Sequence, residues 1–140
     1  MIRIWALGAV GLLLAACGIG FGGGSEGTEV FVRLQAPSEV RAGERARLTV
    51  TYEQPYPVDI DVECVLKKGK RTVQTLGRET IPAMPGADPT DPRQTPEAGS
   101  FDLSFVPRAV GSFWLVCETP ADDNNFVARR ITVLRNTASN

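Results

Sequence analysis

The feature that most limits what this chain can fold into is a succession of short apolar runs, none with helical spacing, each cut off by proline, glycine or aspartate. The runs are Val30 to Gln35, Arg45 to Tyr52, Asp59 to Leu66, Arg71 to Thr80, Ser100 to Val106, Ser112 to Thr119 and Phe126 to Leu134. They are rich in β-branched and aromatic residues, which suit a pleated and half-buried surface. Seven such strands in about 105 residues predict one all-β sandwich. Alternation assigns the inward faces: Ala46, Leu48, Val50 and Tyr52 in the second run, Ile60, Val62, Cys64 and Leu66 in the third, and Phe113, Leu115 and Cys117 in the sixth. Trp114 and Val116 take the other face. In the last run Phe126 and Ala128 are apolar on one phase and Ile131 and Val133 on the other, which predicts a bulge at Arg129 and Arg130.

Ahead of the runs, Met1-Ile2-Arg3 and the uncharged segment from Ile4 have the layout of a secretory signal peptide. The apolar stretch is roughly thirteen residues, short of the twenty or so that span a bilayer. It ends in Leu14-Ala15-Ala16-Cys17, which matches the lipobox of bacterial lipoproteins at every position. The resemblance implies cleavage between Ala16 and Cys17, with diacylglycerol joined to the Cys17 thiol and a further acyl chain on its amine. An ordinary signal peptide with an incidental cysteine is the plain alternative. More than one acyl chain makes membrane attachment stable, whereas one alone is marginal. Gly18 follows where inner-membrane members often carry aspartate, so the outer membrane or cell surface is expected, with the periplasmic face also open. Gly18 to Glu29 is glycine-rich and has almost nothing to pack, a flexible tether reaching roughly 20 Å. The expected organisation is therefore residues 1–16 signal peptide, 17–29 lipidated cysteine and linker, 30–135 domain and 136–140 disordered tail.

The chain has three cysteines and no histidine. With Cys17 claimed by the lipobox, Cys64 and Cys117 can pair only with each other, and an extracytoplasmic domain is where disulfides persist. Closing a loop of roughly fifty residues is worth on the order of 4 kcal/mol in the chain-entropy account. A reduced pair or a two-cysteine metal site is the alternative. Fifteen basic and 16 acidic residues nearly cancel, so no net field draws nucleic acid, and no nucleic-acid partner is expected.

Ala36-Pro37-Ser38-Glu39-Val40-Arg41-Ala42-Gly43-Glu44 resembles the connection between the first two strands of bacterial immunoglobulin-like and fibronectin-like domains. The resemblance implies an immunoglobulin-like order, in which the third and sixth strands are sheet neighbours. A Cys64–Cys117 bridge would then lie within one sheet, unlike the antibody bridge across the core.

Several features could carry function. Asp59, Asp61 and Glu63 form a carboxylate row on one strand face; a solvated, edge-guarding face is the simple reading. Asp122-Asp123-Asn124-Asn125 is expected as the loop joining the last two strands, with Asp122 and Asp123 as weak calcium ligands or part of a glycan-binding tip. Lys67-Lys68-Gly69-Lys70-Arg71 is expected as a basic hairpin tip able to meet anionic lipid or polymer. Pro82 to Ala98 holds five prolines and reads as a long unstructured loop, a candidate partner contact that would also cover Trp114. The usual activators of a nucleophile are missing without histidine, and a histidine-free hydrolase using a carboxylate pair is the remote option. The expectation is a non-catalytic, cofactor-free module anchored through Cys17, contacting an envelope protein or polymer, with a calcium- or glycan-binding surface domain as the alternative.

Overall fold

The structure, a computed structural model, describes residues 30–137. The signal segment, Ala16, Cys17, the tether and the last residues of the expected tail lie outside the described residues, as do the side chains of residues 122–124. The described chain is all-β. It has eight strands: β1 (Phe31–Gln35), β2 (Glu39–Arg41), β3 (Ala46–Gln54), β4 (Ile60–Lys68), β5 (Arg71–Ile81), β6 (Glu97–Phe105), β7 (Gly111–Thr119) and β8 (Asp122–Leu134). They form a three-stranded sheet in the order β1-β3-β6 and a five-stranded sheet in the order β2-β8-β7-β4-β5.

Every expected run is a strand. The eighth strand is β2, which the sequence reading treats as part of a connection. Its three residues lie parallel to β8, with Val40 opposite Val133. Val40 is its half-buried member, packed against the core between exposed Glu39 and Arg41. One apolar side chain in three residues gives too short an alternation to stand out in the sequence.

Inward side chains from both sheets make one core, with Leu34, Leu48 and Val50 on one side and Val62, Cys64, Leu66, Leu115, Cys117 and Ile131 on the other. Fully burying a Leu or Ile contributes about 1.5–3 kcal/mol. Where β5 meets β6, a Cβ on Gly77 would stand 2.9 Å from Leu103 Cδ1, so glycine is what lets the Leu103 side chain approach. On β5 the register against β4 shifts between Cys64 and Val65 and again between Leu66 and Lys67, and Val73 and Leu76, the residues left over at those shifts, pack against the core.

The last strand departs from expectation. Its pairing with β7 runs without a break from Phe126 to Val133, so there is no bulge at Arg129–Arg130. Val127, Ile131 and Val133 share one buried phase; the apparent change of phase arose from reading Phe126 and Ala128 as core. The irregularity lies earlier, where Thr119 faces Asp122 but Glu118 faces Phe126. Three extra residues of β8 are accommodated there.

Candidate functional site

An up-and-down path through two sheets sends alternate turns to opposite ends of the molecule. One end carries Val30, the β3–β4 turn, the β5–β6 loop and the β7–β8 turn. The other carries the β2–β3 turn, the β4–β5 hairpin, the β6–β7 connection and the end of β8. The nine residues of β4 separate the two by roughly 27 Å at about 3.3 Å per residue.

At the Val30 end, Gln54 is fully buried. Its amide donates to Val58 O at 3.0 Å and Pro82 O at 3.2 Å and accepts from Tyr56 N at 3.0 Å, so one side chain joins the β3–β4 turn to the start of the long loop. That loop lacks strand structure from Pro82 to Pro96, Glu97 and Ala98 being in β6. It is nonetheless fastened at several points. Met84 N donates to Tyr56 O at 2.9 Å, Ala83 N to Asp59 Oδ1 at 2.8 Å, and Gln94 Nε2 to Pro55 O at 3.2 Å. Asp88 accepts from both the amide and the hydroxyl of Thr90. The hydroxyl contact foremost, then the amide, holds the Asp88 carboxyl below its ordinary value.

The ladder between β4 and β7 stops at Glu63 opposite Glu118. Beyond it an open groove of about 830 Å³ lies between the start of β4 and the tip of the β7–β8 hairpin, with Tyr56, Ile60, Thr119 and Asn125 among its lining. The carboxylate row borders this groove, but each member is engaged. Asp59 holds Ala83 N, Asp61 accepts from Thr80 Oγ1 at 3.1 Å, and Glu63 meets Arg78 Nε at 2.9 Å. The row ties β4 to β5 and its continuation. Among the described residues no group of three His, Cys, Asp or Glu is placed to hold a metal ion.

Asp122 and Asp123 are not in a loop: the turn is Pro120-Ala121, and β8 begins at Asp122. The sequence reading missed this because consecutive Asp and Asn favour turns, whereas here the strand absorbs them at its register shift. Asn125, buried, has its Oδ1 3.4 Å from Val30 N, so the chain enters the described fold beside the groove.

The other end is basic, and its turns are short and cross-tied. Gly43, at φ 84°, donates its amide to Pro107 O at 2.8 Å, and Ala42 N donates to Leu134 O at 2.9 Å. Gln74 Nε2 donates to Val106 O at 2.8 Å while its Oε1 accepts from Arg108 N at 3.0 Å. The expected tip is a hairpin turning at Gly69, φ 64°. Its cations do not act together. Lys67 reaches Glu118 Oε1 at 3.1 Å, two rungs beyond the Val65–Val116 pair that it must pass over; this accounts for the burial of Val65 and Val116 on the outer face. Lys68 Nζ stands 5.4 Å from the Phe113 ring centroid. Lys70 and Arg71 are exposed.

Trp114 lies opposite Lys67 and Arg130, toward this end. The Arg130 guanidinium sits 5.0 Å from its ring centroid, and the residue is 41% exposed. Its neighbour is thus a cross-strand arginine and not the proline-rich loop, which leaves β5 at the far end. Cys64 and Cys117 are bonded to each other, with Cα atoms 4.0 Å apart and a sequence separation of 53. They face one another in register on β4 and β7, a bridge within the five-stranded sheet as the strand order implied.

Net charge near zero conceals a segregation that single-residue scanning did not find. At the hairpin end Arg41, Arg45, Lys68, Lys70, Arg71 and Arg108 stand exposed, with Arg129, Arg130 and Arg135 close by; Glu39 and Glu44 are the acids there among the described residues. At the Val30 end Glu53, Asp59, Asp61, Glu79, Asp88, Asp91 and Glu97 outnumber Arg33, Arg78 and Arg93.

No family model matches the chain, and no curated protein matches it. Among solved structures it is similar to a β-glucosidase from Listeria innocua. A mutant of that enzyme in complex with laminaribiose matches with a TM-score of 0.51 and 14% identity over 77% of this chain. The same enzyme in complex with isofagomine also gives 0.51, at 13% identity over 79%. The chain spans only 16% and 17% of those proteins, and at this identity the likeness is one of fold.

Proposed function

We propose that this chain is a lipid-anchored module of the bacterial cell envelope, attached through acyl chains on Cys17, that binds an envelope component and catalyses no reaction. The observation that carries the reading is the lipobox Leu14-Ala15-Ala16-Cys17 together with the pairing of the other two cysteines in the fold. Cys17 is then the one cysteine left over, and a disulfide suits an extracytoplasmic domain. The strand order supports an immunoglobulin-like arrangement, β1-β3-β6 facing β2-β8-β7-β4-β5 with β2 parallel to β8, an architecture that serves many unrelated tasks. A binding role is supported by the state of the groove: the carboxylates of its bordering row are committed to Ala83, Thr80 and Arg78, so that row offers no poised acid–base pair. The outer membrane or cell surface is the proposed location, in keeping with Gly18 after the cysteine.

Labelling cells with a palmitate analogue and fractionating them tests the anchor. The chain is expected in the membrane fraction and labelled, and Cys17→Ser is expected to lose both while its melting temperature stays unchanged. Membrane association that survives the substitution overturns the proposal.

A further inference from the structure

We propose that the hairpin end is a docking surface for a linear polyanion, a polymer bearing repeated phosphate or carboxylate groups. Four separate segments bring cations to this end: Arg41 and Arg45 flank the β2–β3 turn, Lys70 and Arg71 the β4–β5 hairpin, Arg108 the β6–β7 connection, and Arg135 the chain beyond β8. All six are exposed. The backbone bonds from Gly43 to Pro107 and Ala42 to Leu134, and the Gln74 bridge to Val106 and Arg108, hold the main chain of these segments in fixed relation, so the turns themselves need no ordering when a ligand arrives.

The arrangement selects the class of ligand. The cations are spread around a rim on different turns, whereas the groove opens at the opposite, acidic end. A small anion meets one or two such charges, while a flexible chain of anions neutralises several at once and releases their counterions. Like charge at the Val30 end repels the same polymer there, so the field fixes which end docks. This inference deepens the envelope-module reading and rests on it in one respect: the chain enters the fold at Val30, beside Asn125, so an anchor at Cys17 joins the molecule at its acidic end, with the basic end roughly 27 Å from the point of attachment. A polymer beyond the membrane is therefore a better fit than the headgroups beneath.

Binding itself does not depend on the lipid, so the test uses the full chain in non-ionic detergent, with fluorescently labelled inorganic polyphosphate and polyglutamate as probes. Saturable binding is expected to weaken roughly fiftyfold between 50 and 200 mM salt, the dependence for about four neutralised charges on a single-stranded polymer. The triple variant Lys70→Glu, Arg71→Glu, Arg108→Glu is expected to lose at least about tenfold in affinity, and Arg93→Glu at the other end to lose none. The salt slope of the unaltered chain tests the proposal even should the triple variant fail to fold. Absence of binding, a salt-independent affinity, or equal loss in Arg93→Glu overturns it. So does uptake by phosphatidylglycerol vesicles without polymer binding, or head-to-tail self-association in sedimentation that the triple variant abolishes without polymer binding. If Cys17→Ser stays on membranes while polyphosphate still binds as expected, the anchor fails and the docking surface stands.

Discussion

The two ends of this molecule are built by different means from the same strands. At the hairpin end the connections are short, cross-tied mainly by backbone hydrogen bonds, and basic. At the Val30 end one connection is a long proline-rich loop, the β4–β7 ladder stops early, and side chains take over the fastening: Gln54, Asp59 and Gln94 each hold a main-chain group of another turn. Backbone ties persist as long as the ladders do, whereas side-chain ties can be removed singly. The Val30 end should therefore be the more fragile of the two and the first to open.

The disulfide offers the largest test of that difference. Cys64–Cys117 lies one rung from the end of the β4–β7 ladder, where it pins the two strands just before the groove. Replacing both cysteines with alanine should cost about 4 kcal/mol for a loop of this size, read by urea denaturation. Hydrogen exchange should rise first at residues 60–64 and 117–127 and least around Gly43 and Gln74. Equal loss of protection at both ends would remove the contrast.

Two glutamines sharpen it. Gln54 bonds three main-chain groups across two connections and Gln74 two within the β6–β7 connection, but Gln54 is fully buried and Gln74 only half-buried. Truncating the first strands two carbonyls and an amide away from water. Gln54→Ala should therefore cost roughly 3 kcal/mol, near the top of the range for buried unsatisfied groups, and Gln74→Ala about 1 kcal/mol because solvent can replace the lost partner. Thermal melts of the two variants give the ordering directly; a reversed order would mean that the hairpin end is the better protected by its side chains.

The strands and the disulfide were legible because both rest on local patterns: the period-two alternation around Leu48 and Val50, and the shared core phase of Cys64 and Cys117. What escaped depended on register. β8 absorbs Asp123, Asn124 and Asn125 at one shift, which no turn propensity reports. β2 is too short to show a pattern. The placement of Trp114 beneath Arg130 follows from which residues face each other across β7 and β8. The charge segregation was within reach, though. In a chain that runs up and down, alternate turns share an end, and the turns here alternate in sign: Arg41 and Arg45, then Glu53 and Asp59, then Lys70 and Arg71, then Glu79 through Glu97, then Arg108. Summing charge over the whole chain erased that signal.

The smallest expected effect concerns how the long loop at the Val30 end is ordered. Asp88 accepts from Thr90 Oγ1 at 2.6 Å and from Thr90 N at 3.0 Å, and these bonds favour its charged form. Its folded pKa is thus below that of an ordinary aspartate. For a depressed carboxyl the sign is fixed: its stabilising contribution is present above the unfolded pKa and is lost as pH falls through the folded one. The carboxyl is fully exposed, so the contribution should appear as local loop order and not in global melting. Thr90→Ala, which removes the larger of the two causes, should move the Asp88 titration upward toward an ordinary aspartate in carbon-detected NMR. An Asp88 midpoint unchanged by the substitution would mean that the Pro82–Pro96 loop is held by its ties to Pro55 and Tyr56 alone, and the fastening of this end would then be coarser than its hydrogen bonds suggest.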